Sequence, residues 1–134
     1  MAVQYSVAVR DAQNDAFETT TGVSAKLQLR TGAAPADCAT AASGTLLCEL
    51  ALPADWMSAS ASGTKDKLGT WSGTGAAGGS AAHFRIVDSA ATTCHMQGTV
   101  TATGGGGDMT LDNVVIAVAQ AVSVSTFTIS RGNA

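Results

Sequence analysis

The stretch Ala82-His83-Phe84-Arg85-Ile86-Val87-Asp88 decides how this chain is read. His83, Arg85 and Val87 alternate with Phe84 and Ile86, and a period of two marks a β-strand. Turn-rich sequence bounds it, Gly75 to Ser80 before and Ser89 to Thr93 after. The same pattern recurs outward in both directions. Ala25 to Arg30 alternates until Thr31-Gly32 breaks it. Gly32 to Gly44, rich in Ala, Pro, Asp and Thr, reads as a loop. Thr45 to Leu52 reads as a strand with Leu46, Cys48, Leu50 and Leu52 on one face and Leu47, Glu49 and Ala51 on the other. Pro53 ends it, because proline has no N–H for a ladder. Further strands are expected at Leu68 to Thr74, Cys94 to Thr103, Met109 to Leu111, Val114 to Val118 and Val122 to Ile129. Ala54 to Lys67 is small and polar apart from Trp56 and Met57, which are expected to plug one end of the core.

The first segment departs from this pattern. Val3, Tyr5, Val7 and Val9 alternate, but Tyr5, Val9, Ala12 and Ala16 follow helical spacing, and Gly22 stands beyond as a stop. The spacing predicts a helix over Gln4 to Thr19 whose narrow apolar face lies on a sheet or a neighbouring subunit. Asp11, Asp15 and Glu18, near Arg10, read as its solvated face. The fold expected is therefore mainly β: a single β-sandwich or jelly-roll-like domain over 23–134, with about seven to eight short antiparallel strands, after an N-terminal helical segment over 1–22.

Composition narrows the function classes. Ala, Gly, Ser and Thr make 70 of the 134 residues, and only 13% are charged, with a net charge of -3. The core must come from a modest set of large apolar side chains. Seven scattered Lys and Arg argue against a nucleic-acid surface. No apolar run is long enough to span a membrane. The first residues lack the basic and apolar regions of a signal peptide. With three cysteines, Cys38, Cys48 and Cys94, a fully paired disulfide framework is impossible. Synthesis in a reducing cytoplasm is expected. Cys38 and Cys48 would pair only if their strands met; free thiols are the plainer reading.

The candidate chemistry is thin. Gly73-Thr74-Gly75-Ala76-Ala77-Gly78 matches the dinucleotide fingerprint in form, but a strand resumes near His83 and leaves no room for the helix that must receive a pyrophosphate. The run Gly104 to Gly107 lacks the Lys and Ser or Thr of a phosphate loop and reads as a turn open to contact with a partner. Cys94-His95 are adjacent on a strand and point to opposite faces, so they do not share a metal; His83 could approach His95, but ordinary structural histidines are favoured. Asp108 and Asp112 lack the rest of a calcium loop, and Asp37, Asp55, Asp66 and Asp88 sit where turns and caps use aspartate. No Gly-x-Ser-x-Gly elbow is present. Trp56, Trp71 and Tyr5 could line a sugar-binding face, although core anchors are the better reading. No catalytic, metal or cofactor-binding residue is nominated, and a non-enzyme without cofactors is expected.

Several stretches resemble small virion proteins of tailed bacteriophages and prophages. They are Ala2 to Arg10, Arg30 to Cys38, Leu52 to Met57, Gly69-Thr70-Trp71, His83 to Ile86, Cys94 to Val100 and Phe127-Thr128-Ile129. The resemblance spans nearly the full length and carries no catalytic residues. It implies a virion structural protein, made in the host bacterial cytoplasm. The leading expectation is a capsid decoration or cement protein. Its partners would be the major capsid protein and copies of itself, with a trimer as the natural homo-oligomer, and neither membrane nor nucleic acid. A tail- or fibre-associated protein, including a receptor-binding one, is the alternative, and a carbohydrate-binding β-sandwich module the second alternative.

Overall fold

The computed structural model describes residues 3–132; Met1 and Ala2 of the expected N-terminal segment lie outside the described residues. One helix, α1 (Val7–Thr21), precedes eleven strands among the described residues. They are β1 (Lys26–Arg30), β2 (Leu46–Ala51), β3 (Thr64–Asp66), β4 (Trp71–Thr74), β5 (Gly79–Ser80), β6 (His83–Val87), β7 (Cys94–Ala102), β8 (Met109–Leu111), β9 (Val115–Ile116), β10 (Ala121–Val124) and β11 (Thr128–Ser130). The chain is mainly β, with a curled mixed sheet in the order β2-β1-β6-β7-β8. Three two-stranded sheets, β10-β4, β11-β3 and β5-β9, complete it.

The opening heptapeptide becomes β6, the middle strand of the main sheet. All five of its residues are buried, so both faces of the sheet are covered there. One face is apolar. Leu27 lies between Ile86 and Leu50, and Leu29 between Phe84 and Cys48. The other face carries a polar row across four strands, Glu49, Gln28, Arg85 and Gln97, each opposite the next.

Several strand expectations are corrected. Eleven strands replace the expected seven to eight, because β3 and β5 form in stretches read as connectors. Val122 to Ile129 is not one strand: β10 pairs with β4, β11 pairs with β3, and the chain changes partner between them. The strands are not all antiparallel, since β7 and β8 run parallel with Val100 opposite Met109. The tetraglycine explains how so short a link returns alongside its own strand. Gly104 and Gly106 take positive φ, and a Cβ on Gly105 or Gly107 would strike Thr101 at under 3.0 Å. At the start of β2, Leu47 is an extra residue between the Leu29–Cys48 and Arg30–Leu46 pairs. This bulge buries Leu47 completely and leaves Leu46 only half-buried, reversing the expected faces there.

The helix starts later than predicted because the Ser6 hydroxyl caps it, accepting from the Val9 N–H at 3.3 Å. It runs on to Thr21, and Gly22 at φ +91 ends it. Its docking face overturns the expectation. Tyr5, Val9, Ala12 and Ala16 are exposed, and the buried side is the polar one, built on Asn14 and Thr21. Asp11, Asp15 and Glu18 do not form a solvated face; they grip the segment before and within β3. The Lys65 ammonium, 1% exposed, lies 2.7 Å from Asp15 and 3.4 Å from Glu18. Glu18 also accepts the Met57 N–H at 2.7 Å. Asp11 accepts the Gly63 N–H and the Ser60 hydroxyl, and Asn14 donates to the Gly63 carbonyl. A lysine on a strand of small residues cannot be buried without counter-charge, so the helix must present its carboxylates inward.

Two outcomes follow. Lys65→Ala strips the cation from between two carboxylates; we expect a loss of about 2–3 kcal/mol in urea unfolding, below the ~3–5 of a fully buried pair because Asp15 is partly solvated. The hydrogen bond from Lys65, helped by the Ser60 N–H, holds the Asp15 carboxyl below its ordinary 3.8. A depressed folded value means that this contribution is complete above 3.8 and is lost as pH falls through the lower folded value. Asp15→Asn should therefore be less stable than the parent at neutral pH, and the gap should close in acid, as read from urea midpoints across that range.

Candidate functional site

Five aromatic rings link the helix to the middle of the sheet. Phe17 meets Trp56 edge-on at 5.3 Å, Trp56 meets Trp71 at 6.0 Å, Trp71 meets Phe127 at 5.7 Å, and Phe127 meets Phe84 at 5.6 Å. Both indoles are buried and spend their N–H groups internally, Trp56 on the Gly22 carbonyl and Trp71 on those of Trp56 and Leu68. They anchor the core as expected and offer no platform to a sugar.

Where this ladder reaches β6, the structure opens into a cleft of about 660 Å³ between α1, β7 and β11. Phe84, Met96 and Phe127 line it, with Phe17 and Ile129 beside them and Gln13, His95, Asp108 and Arg131 among its polar residues. The lining mixes an apolar floor with a polar majority of side chains, and its volume falls in the size range of ligand sites. Gly98 keeps this part of β7 low, since a Cβ there would meet Phe84 and Asp108 at 2.8 Å. The Asp108 carboxylate is already committed: it accepts the Thr99 N–H at 2.9 Å and the Thr99 hydroxyl at 3.0 Å.

The opposite face of the sheet is covered by the loop 32–44. Arg85 donates to the Cys38 carbonyl at 2.8 Å and the Thr40 carbonyl at 3.0 Å. Gln97 donates to the Pro35 carbonyl at 2.7 Å, and the His83 Nδ1–H to the Gly32 carbonyl at 2.7 Å. Gln28 donates to Glu49 and accepts from Arg30. Burial, with Arg85 nearby, lowers Arg30 from its ordinary value. Within the loop, Asp37 accepts the Thr40 N–H and hydroxyl, both at 2.8 Å, which holds its carboxyl below the ordinary value. Backbone alternation along β6 placed Arg85 and His83 on this side, but no local pattern announced that a distant loop would cover them.

The remaining sequence candidates fall as follows. After Gly78 the chain enters β5 directly, with no helix. His83 pairs opposite Thr99, four residues along β7 from His95, so roughly 13 Å of strand separates the two histidines. Asp88 caps a turn through Thr92 and Thr93, which lowers its carboxyl, and Asp66 accepts the Thr128 hydroxyl. No three His, Cys, Asp or Glu gather as metal ligands among the described residues. Cys48 lies on the apolar face with its thiol toward the Thr74 carbonyl, away from the loop that carries Cys38. All three cysteines are free. No helix among the described residues is long and apolar enough to cross a membrane.

Val3 and Tyr5 just before the helix, and Val7 and Val9 in its first turn, are exposed at 72%, 49%, 47% and 44%. No protein-family model matches the chain, and neither a curated protein nor a solved structure matches it.

Arg85→Met should release the loop without opening the apolar core. Losing two charge-assisted hydrogen bonds, each worth about 1.5–3 kcal/mol, should speed proteolytic cleavage within 32–44 by at least about tenfold, while cleavage elsewhere is unchanged.

Proposed function

We propose that this chain is a structural protein of a tailed-bacteriophage virion, and that it decorates the capsid lattice. The observation that carries this reading is the orientation of α1. The helix spends Asp11, Asn14, Asp15 and Glu18 on the body of the protein and turns Val9 outward, while Val7 in its first turn and Val3 and Tyr5 just before it are exposed as well. Exposed apolar side chains clustered in sequence at the start of α1, on a β body, suit docking to a repeated partner surface. The resemblance of several stretches of the sequence to small virion proteins, spread over nearly its full length, supports the same reading. Many copies on a symmetric shell convert a small interface into strong collective binding. The partners proposed are the major capsid protein and further copies of this chain, in a trimer matched to three-fold lattice positions. The particle is its location, after synthesis in the host cytoplasm.

We also propose that the fold is a sandwich of jelly-roll type. In support, β4 lies over β2, since a Cβ on Gly73 would touch Cys48 and Leu50, and Phe127 beside β11 lies over Phe84.

Tail attachment is the second reading, with the Gly104–Gly107 turn facing the host. The segment 54–67 suits that role less well, because Trp56, Met57 and Lys65 within it are buried. Purified protein mixed with undecorated capsids should bind to saturation at hundreds of copies per particle. Val7→Asp with Val9→Asp should weaken binding at least about tenfold, at about 1.4 kcal/mol per decade, with the unfolding midpoint preserved. Absence of binding at saturating protein, or immunogold label confined to the tail, overturns decoration.

A further inference from the structure

We propose that Cys38 and Cys94 form a redox-active dithiol, a modification site at which a small-molecule disulfide closes a bond that clasps the 32–44 loop to β7. The site is assembled by two independent features. In the β6–β7 ladder, Ile86 pairs with Met96 but Val87 pairs with Cys94, so His95 is an extra, bulged residue. The bulge shifts the alternation and brings Cys94 onto the same face as Arg85 and Gln97. The loop is then held down on that face by Arg85, through the Cys38 and Thr40 carbonyls, and by Gln97, through the Pro35 carbonyl. The Cys38 carbonyl is thereby held 2.8 Å from the Arg85 guanidinium, on the same face of the sheet as Cys94, whose thiol donates to the Met96 carbonyl at 3.3 Å. Both residues are half-buried and open to a small reagent, whereas Cys48 is buried on the other face of the sheet. One pairing out of three is therefore built.

The chemistry balances with a disulfide of the glutathione class as oxidant. One protein thiolate attacks a reagent sulfur, breaking the reagent S–S bond and releasing one thiolate. The second protein thiolate attacks the protein sulfur of this mixed disulfide and releases the other. The protein gives up two protons and two electrons, and the reagent leaves as two thiols. Burial, followed by the Cys94 thiol and opposed by the Arg85 charge, pushes Cys38 up to about 11, with Asp37 acting in the same direction as Cys94. Little thiolate is present at neutral pH, so closure is slow there and accelerates with pH. A reducing cytoplasm keeps the clasp open, and an oxidising exterior closes it.

The test uses the native full chain with oxidised glutathione at pH 7 and pH 9, followed by alkylation and peptide mapping under non-reducing conditions. We expect a Cys38–Cys94 bond, Cys48 alkylated only after unfolding, and closure at least about tenfold faster at pH 9. The Tm should rise by about 10 °C and return on reduction. Cys94→Ser should lack that rise. The proposal is overturned if Cys38 and Cys94 stay alkylatable in the folded chain. It is equally overturned if they appear only in bonds to Cys48, to glutathione or to another chain, or if Cys94→Ser keeps the Tm rise.

Discussion

A buried ammonium sets the terms for this fold. Lys65 sits on a three-residue strand, almost entirely out of water, where a lone cation would be untenable. Its neutralisation by Asp15 and Glu18 decides which side of α1 turns inward. Asp11 and Asn14 then extend the same grip to Gly63 and Ser60, so directional hydrogen bonds fasten the helix beside the aromatic contact of Phe17. The outward facing of Val9, with Ala12 and Ala16, is a consequence of that choice.

The apolar core is economical in a different way. A chain with more than half its residues Ala, Gly, Ser and Thr has few large side chains to bury. It concentrates them: all three Phe and both Trp stand in one ladder from α1 to β6, with Leu27, Leu29, Leu50 and Ile86 beneath. Small residues let the layers approach. At Gly73 and Gly98 a side chain would strike Glu49, Cys48, Phe84 or Asp108. The cleft beside β7 opens where the ladder ends and no further large residue closes the gap.

Much of the architecture was legible in the sequence. The alternation of Ala82 to Asp88, the breaks at Thr31-Gly32 and Pro53, and the plug formed by Trp56 and Met57 all appear in the structure. The turn roles of Asp37 and Asp88 were legible as well, because they are satisfied within a few residues. The features that misled have a common character. Leu47 and His95 are bulges, and one added residue reverses every face beyond it while leaving composition unchanged. The parallel return of β8 rests on four glycines that also fit any flexible turn. Neither the polar docking of α1 nor the covering of Arg85 by the 32–44 loop has a local pattern, since the partners are tens of residues away.

The sequence by itself determined that strands dominate, where most of them break, and that the first segment is helical. Those properties follow from period, propensity and turn chemistry, which act over a few neighbouring residues. Only the tertiary structure decided which face of the helix is buried, which face of the sheet Cys94 takes, and that both sides of β6 are covered. Each of these turns on a charge or a hydrogen-bonding group that must find its counterpart once water is excluded, and the counterpart is supplied by a distant part of the chain.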